Sequence, residues 1–181
     1  MDRLCSAAAP VQVRILNVSN LPIRTYGDPV LKQQTKEVLE IDSSIVSLCD
    51  EMIRVMHEAP GVGLAANQIG ISKRIFVYDI GEGPKVVLNP KITGSDGEWT
   101  YEEGCLSVPG LFWPIVRPKI VHLEGTNLDG NLISIEGDEL LGRVFQHELD
   151  HLNGILLIER LDADQLSLAK KELRQIAMRR D

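Results

Sequence analysis

The sequence lacks the features that would place the chain in a membrane or direct it out of the cell. No apolar run approaches the roughly 20 residues that a membrane-spanning helix needs. The first ten residues include small apolar side chains, but they have neither the basic segment nor the long apolar stretch of a secretory signal. We therefore expect no membrane association and no secretion.

Cysteine and positive charge are also scarce. The three cysteines, Cys5, Cys49 and Cys105, are an odd number without the spacing of a disulfide framework. Reduced thiols in a cytosol are therefore expected. Lysine and arginine total 19 against 26 acidic residues, which gives a net charge of -7. This balance excludes a nucleic-acid-binding surface spread over the whole protein, so DNA is not an expected partner.

The length and the composition of the chain are those of a globular domain. The chain has 181 residues, of which 44% are hydrophobic and 25% are charged. A domain near this length buries about 70% of its surface on folding, so a sizeable core is available. No repeat or shift in composition divides the chain. We expect a loosely ordered extension over residues 1–20 and a single domain over residues 21–181.

Hydrophobic periodicity predicts three helices with strands between the first two. Asp42 or Ser43 caps the first helix, which ends near Ala59-Pro60-Gly61. The second begins near Asp138 and ends at Asn153-Gly154, and the third follows residue 162. Strands are predicted at residues 74–80, 85–92, 119–124 and 132–136, with a hairpin turn at Asp129-Gly130, while Trp99, Phe112 and Trp113 are assigned to a connecting region.

The second helix carries the motif on which the functional prediction depends. Residues 147–151 read H-E-x-x-H, and a helix turns ~100° per residue, so His147 and His151 share one face. Two imidazoles at this spacing can bind one metal ion, with Glu148 close enough to move protons of a metal-bound water. The alternative is a helix surface with two solvated histidines.

Two histidines leave a catalytic metal site one protein ligand short, because such sites usually have three protein ligands and a water. Cys105 is a candidate third ligand, since it follows a glycine in the polar segment 102–107. A buried strand cysteine is the alternative there. A protease completed by a downstream glutamate, Glu159 or Glu172, and a non-catalytic metal-binding or scaffold module are the rival functions.

A third segment, G-V-G-L-A-A-N-Q at residues 61–68, is a weak signal alone, because two glycines are equally typical of a tight turn. Together with E-G-C-L-S at 103–107 and Q-H-E-L-D-H at 146–151 it is specific. The chain closely resembles the peptide deformylases from about Leu21 to Leu161. This resemblance implies an α+β fold, in which antiparallel strands surround a central metal-bearing helix with flanking N-terminal and C-terminal helices.

The resemblance also implies the reaction and the residues that perform it. The activity would be metal-dependent removal of the formyl group, as formate, from N-formylmethionyl nascent polypeptides in a bacterial cytosol. Cys105, His147 and His151 would bind the metal, and Glu148 would be general base and acid for the metal-bound water. The Gln68 side chain and the Leu106 backbone N–H would stabilise the oxyanion. The cofactor would be Fe²⁺, with Ni²⁺, Co²⁺ or Zn²⁺ able to substitute.

Substrate selection is assigned by the same resemblance. The residues that correspond to the pocket for the methionine side chain are Val62, Tyr101, Leu140, Arg143 and Val144. Arg143 is polar where such a pocket is usually apolar, so we expect its alkyl stem to line the wall and its charge to reach solvent. The backbone around Gly63 is expected to pair with an extended peptide.

Two further expectations concern charged residues. The loop at residues 108–114 contains no arginine, although some relatives use one there to hold substrate or to pair with the residue at the Glu103 position. Glu103 is therefore assigned to substrate binding without a predicted partner. A basic cluster at the end of the chain suggests docking on ribosomal RNA near the exit tunnel; it comprises Lys170, Lys171, Arg174, Arg179 and Arg180.

Overall fold

The computed structural model describes residues 21–178. The N-terminal extension expected over residues 1–20 lies outside this range, as do Arg179 and Arg180 of the basic cluster.

The first helix, α1, spans Ser43–Glu58 and confirms the prediction made from periodicity. The carboxylate of Asp42 caps it by accepting the backbone N–H groups of Ser44 at 2.9 Å and Ile45 at 3.0 Å. These are two of the donors that a helix N-terminus leaves unpaired. The face that packs into the core consists of Ile45, Leu48, Cys49, Met52, Val55 and Met56.

Five antiparallel strands form the larger sheet, in the spatial order β1-β2-β3-β6-β7. The four predicted strands of this sheet are present, and the turn between the last two contains Gly130 with a φ of 81°. β1, which was not predicted, occupies one edge of the sheet. The bounds are β1 Gly63–Ala65, β2 Ile75–Tyr78, β3 Lys85–Asp96, β6 Ile120–Thr126 and β7 Leu132–Asp138.

The smaller sheet is a two-stranded antiparallel hairpin of β4 (Trp99–Cys105) and β5 (Val108–Arg117). The prediction of a connecting region here was wrong. β5 contains Pro109, Gly110 and Pro114, residue types that are depleted in strands, so the local composition hid the pairing. The hairpin matters for the site because it ends β4 at Cys105.

The helix that carries the H-E-x-x-H motif, α2, spans Glu139–Leu152 and packs against the larger sheet. The Phe145 ring lies 6.2 Å from Phe76 and 5.4 Å from Tyr78, measured between centroids. A last helix, α3 (Ala163–Met178), buries Ala169 and Leu173 against residues that include Leu156 and Leu157. The predicted α+β architecture is therefore confirmed over the described residues.

Among residues 21–178, no helix combines the length and the apolar character that crossing a bilayer would require.

Gly154 ends α2 in the left-handed backbone conformation, with a φ of 74°. A Cβ at this position would lie 2.7 Å from the carbonyl oxygen of Lys32. Gly130 has a similar φ of 81°, but a Cβ there would meet nothing within 4 Å. Alanine substitutions at the two positions can therefore distinguish the cost of the backbone conformation from the cost of a steric clash.

We expect Gly154→Ala to lower the free energy of unfolding more than Gly130→Ala. The left-handed conformation should cost each variant about 1–2 kcal/mol, and only the first adds a backbone collision. Urea unfolding at equal metal content measures both losses. Equal losses in the two variants would contradict the close approach of Gly154 to Lys32.

Candidate metal centre and active site

Three potential metal-ligating side chains converge between the hairpin and α2. Cys105 ends β4, and His147 and His151 lie one turn apart on α2. One ligand atom from each residue lies within 4.8 Å of the others, and the Cys105 Sγ is 3.2 Å from the His151 Nε2. Cys105 is 8% exposed and His151 1% exposed, so the cluster is shielded from bulk solvent.

The chemistry of this donor set fits a divalent transition metal. One sulfur and two imidazole nitrogens would supply three ligands, and a catalytic ion would keep a further position open for water or substrate. Burial would raise the pKa of the Cys105 thiol, but the neighbouring His151 and His147 outweigh burial and hold it well below its usual range. The sulfur is therefore available as the thiolate that binds metals.

The alternative third ligands from the sequence are not part of this cluster. The Glu159 carboxylate accepts Lys32 Nζ at 2.6 Å and the backbone N–H of Leu156 at 2.8 Å. Glu172 lies on the exposed side of α3. Within residues 21–178, the group of His, Cys and acidic side chains close enough to share an ion is Cys105, His147 and His151.

Glu148 places a carboxylate beside the donor set. It is 3% exposed, and burial raises its pKa to about 7. Its Oε2 has no hydrogen-bond partner among the described residues. The other oxygen lies against the backbone of Gly63, where a Cβ would come within 2.3 Å of Oε1. A carboxylate with this pKa and a free oxygen can take up and return a proton near neutral pH.

Gln68 reaches the same space from a short 3-10 helix, Ala66–Ile69, that follows β1. Its Oε1 accepts the backbone N–H of Ala65 at 2.8 Å, which fixes the orientation of the amide. Its Nε2 donates to the hydroxyl of Ser107 at 3.2 Å. Ser107, which is fully buried, was not singled out from the sequence. The amide of Gln68 is thereby held with its donor side towards the segment that follows Cys105.

Glu103, two residues before Cys105, connects the hairpin to α2. Its Oε2 accepts Nδ1 of His147 at 3.0 Å, so this histidine is held with Nε2 as its remaining ring nitrogen. Burial raises the pKa of Glu103, but hydrogen bonds from His147 and Arg117 outweigh burial and lower it to about 2. Glu103 is therefore a permanently charged outer partner of a candidate ligand.

The partner of Glu103 is Arg117, at the end of β5 and three residues past the loop in which an arginine was sought. Arg117 Nε and Nη2 donate to the two Glu103 oxygens at 2.7 and 3.1 Å. Its Nη1 donates to Asp150 at 2.6 Å, and Asp150 also binds Arg160. Arg117 is 6% exposed. Sequence reasoning missed Arg117, Asp150 and Arg160, because none stands in a recognisable motif with Glu103.

The expectation that the charge of Arg143 reaches solvent is wrong. Arg143 is 3% exposed, and its Nη1 donates to Glu103 Oε1 at 2.7 Å and to the Ile115 carbonyl at 3.1 Å. Its Nη2 donates to the carbonyl of Trp99. Glu103 and the hairpin carbonyls pair both terminal nitrogens of the guanidinium inside the protein, while Nε has no partner among the described residues.

A cleft of about 610 Å³ opens over the donor set. It brings together most of the residues singled out from the sequence, while His151 lies buried behind the lining. Val62 and Tyr101 are 45% and 40% exposed at its walls. The lining includes Val62, Gly63, Gln68, Tyr101, Glu103, Cys105, Leu106, Leu140, Arg143, Val144, His147 and Glu148.

The chain matches known proteins over most of its length. The model of the polypeptide deformylase family matches residues 20–167. A peptide deformylase of Agathobacter rectalis is 53% identical over 140 residues, which cover 77% of this chain and 89% of that protein. A peptide deformylase of Clostridium botulinum is 50% identical over 138 residues, covering 76% and 94%.

Solved structures agree in fold as well as in sequence. The peptide deformylase of Thermus thermophilus has a TM-score of 0.83 and 41% identity, with 88% of this chain and 96% of that chain covered. The peptide deformylase of Synechococcus elongatus, solved with actinonin, has a TM-score of 0.80 and 37% identity, covering 84% and 86%. With a family match over residues 20–167 and these identities, the chain belongs to the polypeptide deformylase family.

Proposed function

We propose that this family member hydrolyses the formyl amide of N-formylmethionyl peptides, releasing formate and a free amino terminus. The observation that carries the proposal is the Glu148 carboxylate in the same cleft as Cys105 and His147, with the third donor, His151, buried behind its lining. Such a grouping serves metal-assisted hydrolysis of an amide. Formylated nascent chains arise in the cytosol of bacteria, so we place the enzyme there, with residues 21–181 as its catalytic domain.

We assign the three donors to a resident metal ion, Fe²⁺, for which Ni²⁺, Co²⁺ or Zn²⁺ can substitute. The thiolate and imidazole set suits these borderline ions better than Mg²⁺ or Ca²⁺, which prefer oxygen ligands. A bound divalent ion supplies Lewis-acid chemistry, lowering the pKa of water in the open position. Iron is taken from the family resemblance, and anaerobic purification followed by metal analysis tests it.

Glu148 is proposed to carry the proton through the reaction. It accepts a proton from the attacking water as the new C–O bond forms at the formyl carbon. It then delivers that proton to the amide nitrogen as the C–N bond breaks, so the products are formate and the amine. Burial raises the pKa of Glu148, which favours its acting as base and then as acid. The oxygen without a partner is the one available for these proton transfers.

Gln68 and Leu106 are proposed to stabilise the negative charge that develops on the formyl oxygen. The Gln68 amide is held in place by Ala65 and Ser107, which supports a preorganised donor. The backbone N–H of Leu106 follows Cys105 directly and lines the same cleft. Donors fixed before the reaction cost little reorganisation when charge develops, and each is typically worth about 10²–10³ in rate.

The methionine side chain is proposed to occupy the part of the cleft between the hairpin and α2. Leu140, Val144 and the alkyl stem of Arg143 supply the helix side, and Tyr101 and Val62 supply the opposite walls. The peptide backbone is proposed to pair beside Gly63, since β1 is an edge strand of the larger sheet. Main-chain pairing supports acceptance of many residues after methionine.

The basic side chains of α3 support a further proposal, that the enzyme docks on ribosomal RNA. Lys170, Lys171 and Arg174 are exposed. Binding to RNA through phosphate contacts weakens as salt rises. Sedimentation with ribosomes at increasing salt concentration tests the proposal. Association that does not change with salt, or no association, would reject it.

We expect Glu148→Gln to reduce formate release from formyl-Met-Ala-Ser by about 10²–10⁴-fold, the range for general acid–base groups. Metal content should stay unchanged, because Glu148 is not one of the three donors. Glu172→Gln is the matched control and should retain wild-type turnover. Loss of turnover in that control, with metal binding that survives Cys105→Ala, would favour the protease alternative. Formate release absent from wild type and Glu148→Gln alike would favour a non-catalytic module.

We expect Gly63→Ala to lower kcat by at least tenfold with little loss of metal, because the new methyl group would displace the Glu148 carboxylate. Gly94→Ala is the matched control within a strand, since a Cβ there meets only the His122 side chain, at 3.1 Å. Steady-state formate release and metal analysis of both variants provide the comparison. Equal activity in the two variants would show that Gly63 does not position Glu148.

A further inference from the structure

Arg143 is a buried charge in the part of the cleft wall that is assigned to the methionine side chain. It lies one helical turn before His147 on α2, and its guanidinium carbon is 5.2 Å from the centre of the Trp99 ring. Placing a guanidinium in such surroundings costs free energy unless every partner is in place. An aliphatic residue would line the pocket equally well. The charge therefore needs a role other than contact with the methionine side chain.

The partners of Arg143 indicate what that role is. Its Nη1 and Arg117 Nε both donate to Oε1 of Glu103, each at 2.7 Å. The second oxygen, Oε2, accepts from His147 Nδ1 at 3.0 Å and from Arg117 Nη2 at 3.1 Å. Arg117 holds both oxygens of this carboxylate in a bidentate pair within the hairpin. Arg143 adds a second cation from the helix that carries His147, and so ties this pair to α2.

We propose that Arg143 is a positioning residue for the metal centre, which acts on His147 through Glu103. By anchoring Oε1, it holds Oε2 where it can orient the imidazole and direct Nε2 towards the open centre of the donor set. Outer partners of this kind set ligand orientation and are commonly worth 10–100-fold in metal affinity. The inference rests on the proposed function only in taking Cys105, His147 and His151 as metal ligands.

A purely structural role is the competing explanation. Arg143 also donates to the carbonyls of Trp99 and Ile115, which lie on the two strands of the hairpin. On that explanation, replacing Arg143 would loosen the hairpin and lower thermal stability, but the folded protein would bind metal as before. The two explanations therefore differ in metal affinity and in its dependence on Glu103.

The test is a Co²⁺ titration, in competition with a chelator, of Arg143→Gln, Arg143→Lys, Glu103→Gln and the double variant Arg143→Gln/Glu103→Gln. We expect Arg143→Gln to weaken Co²⁺ binding about tenfold, the lower end of the range for outer partners, because it acts through Glu103. Arg143→Lys, which keeps the charge but not the planar fork, should lie between it and wild type. The visible spectrum of bound Co²⁺ should change in the same order.

The double variant tests whether Arg143 acts on the metal centre through Glu103. If Arg143 acts through Glu103, adding Arg143→Gln to Glu103→Gln should cause no further loss of affinity. Losses that multiply, or an Arg143→Gln affinity equal to wild type, would overturn the proposal. Should Arg143→Gln fail to fold, an Arg143→Lys affinity equal to wild type would overturn it in the same way.

Arg74→Gln is the matched control. Arg74, which is half-buried, donates to the backbone carbonyl of Pro90 and to the side chain of Asn153, but it does not contact Glu103. We expect it to lose thermal stability while keeping Co²⁺ affinity within twofold of wild type. An equal loss of affinity in Arg74→Gln would show that the effect is general destabilisation. Formate release by wild type is measured separately, so failure of the proposed activity would not be mistaken for failure of this inference.

Discussion

The candidate site depends on one buried carboxylate, that of Glu103, which joins the β4–β5 hairpin to α2. The hairpin is only two strands wide and forms a sheet of its own, so its position relative to α2 depends on side-chain contacts. Glu103 accepts donors from Arg117 on the hairpin and from Arg143 and His147 on the helix. Glu103, with the Arg117–Asp150 contact and the apolar cluster that contains Cys105, therefore fixes the sulfur relative to the two imidazoles.

This arrangement explains why so many charges are buried in a small volume. Arg117, Arg143, Glu103 and Asp150 are all less than 10% exposed, and each charge has an opposite charge within hydrogen-bond distance. Buried ion pairs add little net stability compared with apolar packing, but removing one partner is costly. Such a network suits a site whose geometry must be unique. Stability comes from the apolar clusters around it, such as those that contain Phe76 and Phe145.

The catalytic carboxylate depends on a different constraint, the absence of a side chain at Gly63. The backbone of β1 approaches Glu148 so closely that no Cβ fits between them. Burial raises the pKa of Glu148, whereas hydrogen bonds from His147 and Arg117 lower the pKa of Glu103. Two carboxyl groups beside one donor set can thus serve opposite purposes, one exchanging protons and the other remaining charged.

The sequence predicted those features that depend on interactions between residues close together in the chain. The cap at Asp42, the turn at Gly130 and the helical spacing of His147 and His151 are all interactions between near neighbours in sequence. The hairpin was missed because proline and glycine in β5 obscure strand periodicity. Arg117 was missed because its partners lie 14 and 33 residues away, and spacing along a chain carries no information about such pairs.

X-ray absorption fine structure of the protein loaded with one equivalent of Zn²⁺ tests the central claim most directly. If Cys105, His147 and His151 share one ion, the spectrum should contain one sulfur at about 2.3 Å and two imidazole nitrogens at about 2.0–2.1 Å. The sulfur contribution should disappear in Cys105→Ala. A wild-type spectrum with nitrogen and oxygen ligands alone would contradict the account, because the thiolate would then have no part in the centre.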